Sequence, residues 1–121
     1  MAGTVVTTEE TFSNVKKITF AWTCSAGGAA DATTTKFYTG DILRAVAIPG
    51  TGGDAPTALY DGVINDDDSV DVMDGAFANL SATLTTQIGP LGAATIANTQ
   101  LTLGITNAGD ANKGTVILYI R

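Results

Sequence analysis

The feature that most restricts the fold is a strict alternation of apolar and polar or small residues. Within residues 18–24 every second side chain is apolar: Ile18, Phe20, Trp22 and Cys24. A period of two is the repeat of a β-strand with one face in a core, because successive side chains point to opposite faces. The segment is therefore predicted to be a half-buried strand and not an amphipathic helix.

The C-terminal part of the chain repeats this pattern. Leu101, Leu103 and Ile105 alternate with threonine or glycine, and residues 115–121 form a second β-prone run. The loop between them, residues 107–114, is rich in Asn, Asp and Gly, which is the composition of a turn. Two β-patterned runs around such a loop predict a β-hairpin.

Breaker-rich segments divide the rest of the chain into short β-prone pieces. The candidate strands are 4–12, 33–39, 42–48, 60–64 and 81–88, and the clearest loops are 26–31, 49–56 and 65–69. About seven or eight strands with a turn about every eight to twelve residues are typical of a sandwich or small barrel. We therefore predict an all-β fold, a single-domain antiparallel β-sandwich or small barrel spanning residues 1–121.

One segment has a helical alternative. Its apolar residues fall at helical spacing: Val70, Met73, Phe77 and Leu80. Asp68 or Ser69 could cap a helix here, but Gly75 inside it costs about 1 kcal/mol relative to Ala. We expect at most one short helix near residues 69–80, with a β-bulge or an extended loop as the alternatives.

The charge balance argues against two classes of partner. The chain has 6 Lys and Arg against 12 Asp and Glu, a net charge of −6. Nucleic-acid binding and anionic membranes both require clustered basic residues, so we expect neither as a partner. No stretch reaches the apolar length of a membrane span, and Met1-Ala2-Gly3-Thr4 lacks a signal-peptide pattern. We expect synthesis in a cytoplasm without export.

Catalytic chemistry has few residues to draw on. The chain has no histidine, so Ser-His-Asp and Cys-His arrangements are impossible. Cys24, the one cysteine, lies in the apolar register of a strand, where a buried and unreactive thiol is expected. No glycine-rich segment matches a phosphate-binding loop. We therefore expect no enzyme activity and no cofactor.

The most conspicuous polar cluster is acidic. It contains Asp61, Asn65, Asp66, Asp67, Asp68, Asp71 and Asp74. Calcium binds such carboxylate and amide oxygens, but the spacing lacks the Gly and Glu of an EF-hand loop. A solvated acidic turn is the favoured interpretation, so no metal site is predicted, and calcium binding is the alternative.

The N-terminal segment is the candidate interaction surface. Residues 4–12 are β-prone and polar on one face, so segment 1–12 could be an extended arm that adds a strand to a neighbouring subunit. The candidate contact residues are Thr4, Val5, Val6, Thr7, Thr8 and Phe12. An ordinary first strand of the same sandwich is an equal alternative. Only 15 % of residues are charged, against about 25 % in a typical domain, which suits a surface packed against neighbours.

Turn and strand signatures over most of the chain resemble those of small virion proteins of tailed phages and prophages. They include Thr7-Thr8-Glu9-Glu10-Thr11, Ala21-Trp22-Thr23, Pro56-Thr57, Tyr60-Asp61, Ser69-Val70-Asp71-Val72-Met73-Asp74-Gly75, Leu101-Thr102-Leu103, Thr106-Asn107-Ala108-Gly109, Lys113-Gly114 and Leu118-Tyr119-Ile120-Arg121. These motifs are structural and contain no catalytic chemistry.

The resemblance implies a structural component of a phage virion, made in the host cytoplasm. The expected role is capsid decoration (cement): a homo-oligomer, with a trimer favoured, that binds between major capsid subunits and stabilises the head. A neck, collar or tail component is the alternative. A third possibility is a carbohydrate-binding module for host adsorption, for which Tyr60 and Phe77 are the aromatic residues near the acidic loop.

Overall fold

Nine β-strands form two antiparallel sheets in the computed structural model, which describes residues 3–89 and 95–121. The strands are β1 (Thr4–Phe12), β2 (Val15–Thr23), β3 (Ala30–Thr33), β4 (Tyr38–Pro49), β5 (Asp61–Asn65), β6 (Thr86–Ile88), β7 (Thr95–Thr99), β8 (Thr102–Thr106) and β9 (Lys113–Ile120). The larger sheet has the order β1-β2-β9-β4-β6, with β7 paired to the start of β4, and the smaller has the order β3-β8-β5. The all-β sandwich prediction is confirmed.

The inner faces of the two sheets meet in one hydrophobic core. From the larger sheet it takes Ile18, Phe20, Trp22, Ile42, Ala45, Ala47, Val116, Leu118 and Ile120, and from the smaller sheet Ala30, Ile64, Leu103 and Ile105. The residues between them on each strand point outward, as the period of two requires. The alternation in the sequence therefore identifies the buried face of the strands that it covers.

The largest side chain of the core lies against a glycine. Trp22 is 1 % exposed, and its ring centroid is 5.6 Å from that of Tyr60 at an interplanar angle of 49°. Gly114 is directly opposite Trp22 on β9, and a Cβ at Gly114 would overlap the six-membered ring of the indole. The indole N–H has no hydrogen-bond partner among the described residues, so packing alone holds this ring.

The predicted C-terminal hairpin is wrong, although both of its strands exist. β8 pairs with β3 and β5 in the smaller sheet, whereas β9 pairs with β2 and β4 in the larger one. The connecting loop crosses between sheets and is held by bonds from Ala108 N to Gly28 O (3.0 Å) and from Cys24 N to Asn112 O (2.9 Å). Alternation predicts which face of a strand is buried, but it carries no information on the partner strand.

Other predicted boundaries also differ from the structure, and one strand was missed. The predicted loop 26–31 already contains the start of β3, and the predicted strand 33–39 is interrupted at residues 34–37. There the buried Thr34 hydroxyl donates to Lys36 O (2.9 Å) and accepts from Leu101 N (3.0 Å). These bonds replace the ladder bonds of a continuous strand, since short polar side chains compete for backbone groups. Of the predicted strand 81–88 only Thr86–Ile88 is extended, and β7 was not predicted.

Residues 70–80 form successive turns instead of the short helix. Backbone bonds join Asp74 N to Asp71 O, Ala76 N to Met73 O and Ala78 N to Gly75 O at 3.0–3.1 Å. The backbone has positive φ at Asp74 (51°) and Gly75 (78°), which a right-handed helix does not allow. The segment is therefore a loop of turns, which agrees with the expectation of at most one short helix, and its apolar residues Met73, Phe77 and Leu80 are still buried.

A glycine-to-alanine pair tests the packing at Trp22. We expect Gly114→Ala to lower the free energy of unfolding by about 1–3 kcal/mol, the usual cost of overpacking a core, because the added methyl group displaces the indole. Gly53→Ala is the matched control, since its Cβ would meet nothing within 4 Å. Equal chemical denaturation midpoints for the two variants would contradict this account of the core.

Candidate interaction surface

β1 forms one edge of the larger sheet. It pairs antiparallel with β2 over its full length, from Thr4 opposite Thr23 to Phe12 opposite Val15. The segment is therefore a first strand of this sandwich. No strand of the described residues pairs with the other side of β1, so its outward N–H and C=O groups resemble those of any sheet edge and are open to another strand.

The six candidate contact residues divide between the two faces of β1. Thr4, Val6, Thr8 and Phe12 are exposed, with 70 % of Val6 and 56 % of Phe12 accessible to solvent. Val5 and Thr7 are half-buried on the opposite face, and Val5 packs against the core. A partner that added a strand to β1 would therefore find two large apolar side chains on the outward side.

The exposed side of β1 continues into a broad surface, which we call the outer face. It consists of the side chains of β1, β2, β9 and β4 that point away from the smaller sheet, in three cross-strand rows. The first row contains Val6, Ala21, Thr115 and Ile48, the second Thr8, Thr19, Ile117 and Val46, and the third Glu10, Lys17, Tyr119 and Arg44. Two rows are thus uncharged, and only the third contains ions.

The charged row has side chains held in place. The Arg44 guanidinium carbon lies 5.4 Å from the centroid of the Tyr119 ring, a cation–π distance. Arg44 Nε also donates to Gln87 Oε1 of β6 at 3.0 Å. Glu10 of β1 is directly opposite Lys17 of β2. Sequence reasoning missed the contribution of β4 and β9 to this surface, because only the strand register reveals it.

Glu9 fastens β1 to the crossing segment between β3 and β4. Its carboxylate accepts hydrogen bonds from Thr35 N (3.0 Å), Lys36 N (3.1 Å) and the Tyr38 hydroxyl (2.7 Å). Partial burial raises the pKa of Glu9, but these donors outweigh burial and hold the pKa below its ordinary value. Burial and the neighbouring carboxylate raise the pKa of Tyr38. The edge strand is thus anchored at an ionised side chain.

The acidic cluster is used to shape its own loop. Asp71 Oδ1 accepts from Ile64 N (3.2 Å) and Met73 N (3.0 Å), and Asp71 Oδ2 accepts from Gly75 N (2.9 Å). Asp66 Oδ1 accepts from Asp68 N (2.9 Å) and Val70 N (3.1 Å). These carboxylates satisfy backbone donors that the turns leave unpaired.

Asp61 forms its hydrogen bonds with other residues than Asp66 and Asp71 do. Its carboxylate accepts from Asn79 N and from Asn107 Nδ2, each at 2.8 Å, and these bonds lower the pKa of Asp61. Over residues 3–89 and 95–121, no group of three or more His, Cys, Asp or Glu side chains is arranged to hold a metal ion. The cluster therefore consists of separate loop contacts.

Neither aromatic residue near the acidic loop is available to a sugar. Tyr60 is 1 % exposed and Phe77 is fully buried in the core, and burial raises the pKa of Tyr60 to about 12. The carbohydrate-binding alternative therefore lacks the stacking residues on which it depended.

The cysteine is in the core, where the sequence placed it. Cys24 is buried, and its thiol donates to Gly109 O at 2.7 Å.

Comparisons with known proteins leave the family open. No family model matches the chain, and no curated protein matches it. A solved structure from a study of promiscuous specificity in carbohydrate-binding modules of the β-sandwich superfamily is similar, with 15 % identity and a TM-score of 0.42. The likeness covers 99 % of this chain and 54 % of that one, so the chain spans about half the length of this neighbour. No helix in the described part of the chain is long and apolar enough to span a membrane.

Replacing Glu9 tests the anchor of β1 through its pH dependence. A group whose pKa is lowered by folding stabilises the fold above its unfolded pKa, about 4.3 for Glu, and that stability is lost as the pH falls through the folded pKa. We expect Glu9→Gln to lose about 1 kcal/mol at pH 7, and the difference from wild type to vanish toward pH 3. Glu10→Gln is the matched control, and urea unfolding at several pH values is the measurement. A pH-independent difference would contradict the anchor.

A second pair of variants tests the role of the acidic loop. Asp71→Ala leaves three backbone N–H groups without their acceptor and should lower the free energy of unfolding by about 2 kcal/mol. Asp68→Ala is the control, because the Asp68 side chain is exposed. Calcium should leave the melting temperature of wild type unchanged relative to EGTA. A calcium-dependent rise that Asp71→Ala abolishes would show a metal site instead.

Proposed function

We propose that this protein is a non-enzymatic structural component of a tailed-phage virion, a capsid decoration protein that binds between major capsid subunits and stabilises the head. The observation that carries the proposal is the edge strand β1, whose outer side pairs with no strand of the described residues and which is continuous with a broad surface of few charges. The kind of assembly is proposed from the resemblance of its strand and turn signatures to those of small virion proteins. Catalysis has no support, since the chain contains no histidine and its cysteine is buried.

Strand addition to β1 is the proposed mode of attachment. An extended segment of a capsid subunit would pair with the outward N–H and C=O groups of β1, which provides affinity through backbone bonds. Val6 and Phe12 would supply apolar contacts on the exposed side. Because backbone pairing needs few side-chain anchors, it suits a chain whose loops at 26–31 and 49–56 contain no aromatic or branched aliphatic side chain. Repeated copies bound in this way would join adjacent subunits of the shell.

A neck, collar or tail ring is the alternative position in the virion, and copy number separates the two. We expect hundreds of copies per particle when this protein is quantified against the major capsid protein on gels of purified virions. We expect the protein to be a trimer on the shell. A particle reconstruction would then show three copies around each local threefold position. A few dozen copies or fewer would favour the ring and contradict decoration.

A binding measurement with two variants tests attachment through β1. Thr8→Lys places a cation in the middle of β1, where edge lysines block strand pairing, and should reduce binding to particles that lack the protein by at least tenfold. Thr33→Lys is the matched control, since Thr33 is exposed on the edge strand β3 of the smaller sheet. Equal loss of binding by both variants would contradict attachment through β1.

A further inference from the structure

The outer face is complementary to a second copy of itself, and we propose that two copies of the free protein pair through it about a twofold axis parallel to the strands. Such an axis places β4 of one copy over β1 of the other, and β9 over β2. Each cross-strand row then faces the same row of the second copy in reversed order. A twofold axis across the strands would set the charged row against the uncharged first row, so only the parallel axis matches like with like.

The charges of the third row are complementary in this twofold arrangement. In the third row Glu10 is at the β1 end and Arg44 is at the β4 end, with Lys17 and Tyr119 between them. Reversal brings Glu10 of each copy opposite Arg44 of the other, which forms two equivalent ion pairs. It also brings Lys17 opposite Tyr119 of the second copy. Within one copy, Arg44 and Glu10 lie three strands apart and cannot meet.

The uncharged rows fit the same arrangement. Val6, which is 70 % exposed, faces Ile48 of the second copy, which is 37 % exposed. The residues between them in that row, Ala21 and Thr115, are small and allow the centres of the two faces to approach. In the second row, Thr8 faces Val46, which is 6 % exposed and adds little contact area, and Thr19 faces the half-buried Ile117. The two most exposed apolar side chains of the first row therefore cover each other.

The area of the face limits the affinity. Four strands about 4.8 Å apart and three rows about 6.8 Å apart give about 400 Å² per copy. Two copies would bury about 800 Å², which is below the size of stable interfaces, so a weak and concentration-dependent dimer is expected. Pairing leaves the outward backbone edge of β1 open. It covers Val6, which strand addition would also use, but it leaves the backbone pairing groups free and is tested on the purified protein alone.

Charge reversal and mixing test the twofold pairing. Sedimentation equilibrium at low ionic strength should show wild type moving from the chain mass of 12.3 kDa to twice that mass as concentration rises. Glu10→Lys makes both members of each ion pair cationic, and Arg44→Glu makes both members anionic, so each variant alone should dissociate at least tenfold more readily. Mixed together, the two variants form a heterodimer in which both pairs are again opposite in sign, and dimerisation should return.

Control variants and thermal melts distinguish a loss of pairing through the outer face from unfolding and from a general effect of charge. Asp31→Lys on the smaller sheet and Lys36→Glu on the crossing segment carry the same kinds of charge change away from the outer face and should dimerise as wild type does. Thermal melts report whether each variant is folded, and recovery in the mixture demonstrates it for the two reversal variants. A wild type that stays monomeric, an assembly other than a dimer, or a mixture that fails to recover would overturn the proposal.

Discussion

The contact between Trp22 and Gly114 is the packing interaction on which the sandwich depends. Gly114 has no side chain, so the indole of Trp22 packs directly against the backbone of β9, and its other contact is with the ring of Tyr60. The same contact brings together residues far apart in the chain and fixes the register of β2 against β9. The indole N–H that is left unpaired among the described residues is a free-energy cost that the buried ring area must exceed.

The register of β2 against β9 also determines which side chains align on the outer face of the larger sheet. With Trp22 opposite Gly114, the side chains of β1, β2, β9 and β4 align into rows, one of them ionic and two of them uncharged. A shift of one residue would turn every outward side chain inward. The outer face is thus a consequence of core packing, which explains why so ordered a surface can form from threonine, alanine and valine with only a few charges.

The fold class could be predicted from the sequence because alternation reports burial directly. Residues 18–24 and 101–105 identified two buried faces correctly, yet β8 and β9 do not pair with each other. Helical spacing at 70–80 was misleading for a related reason: Met73, Phe77 and Leu80 are buried, but positive φ at Asp74 and Gly75 turns the chain instead. The N-terminal segment was identifiable as a strand, whereas Arg44 and Ile48 join its surface only through the register, which no local pattern encodes.

The position of β9 has a consequence for how the chain is made. β9 comes last of the nine strands, yet it lies between β2 and β4 at the centre of the larger sheet. Until residues 113–120 have left the ribosome, β2 and β4 have no common neighbour, and Trp22 lacks its contact with Gly114. Assembly of the larger sheet must therefore wait for synthesis of residues 113–120, and until then the β1–β2 hairpin exposes Ile18, Phe20 and Trp22 to other nascent chains.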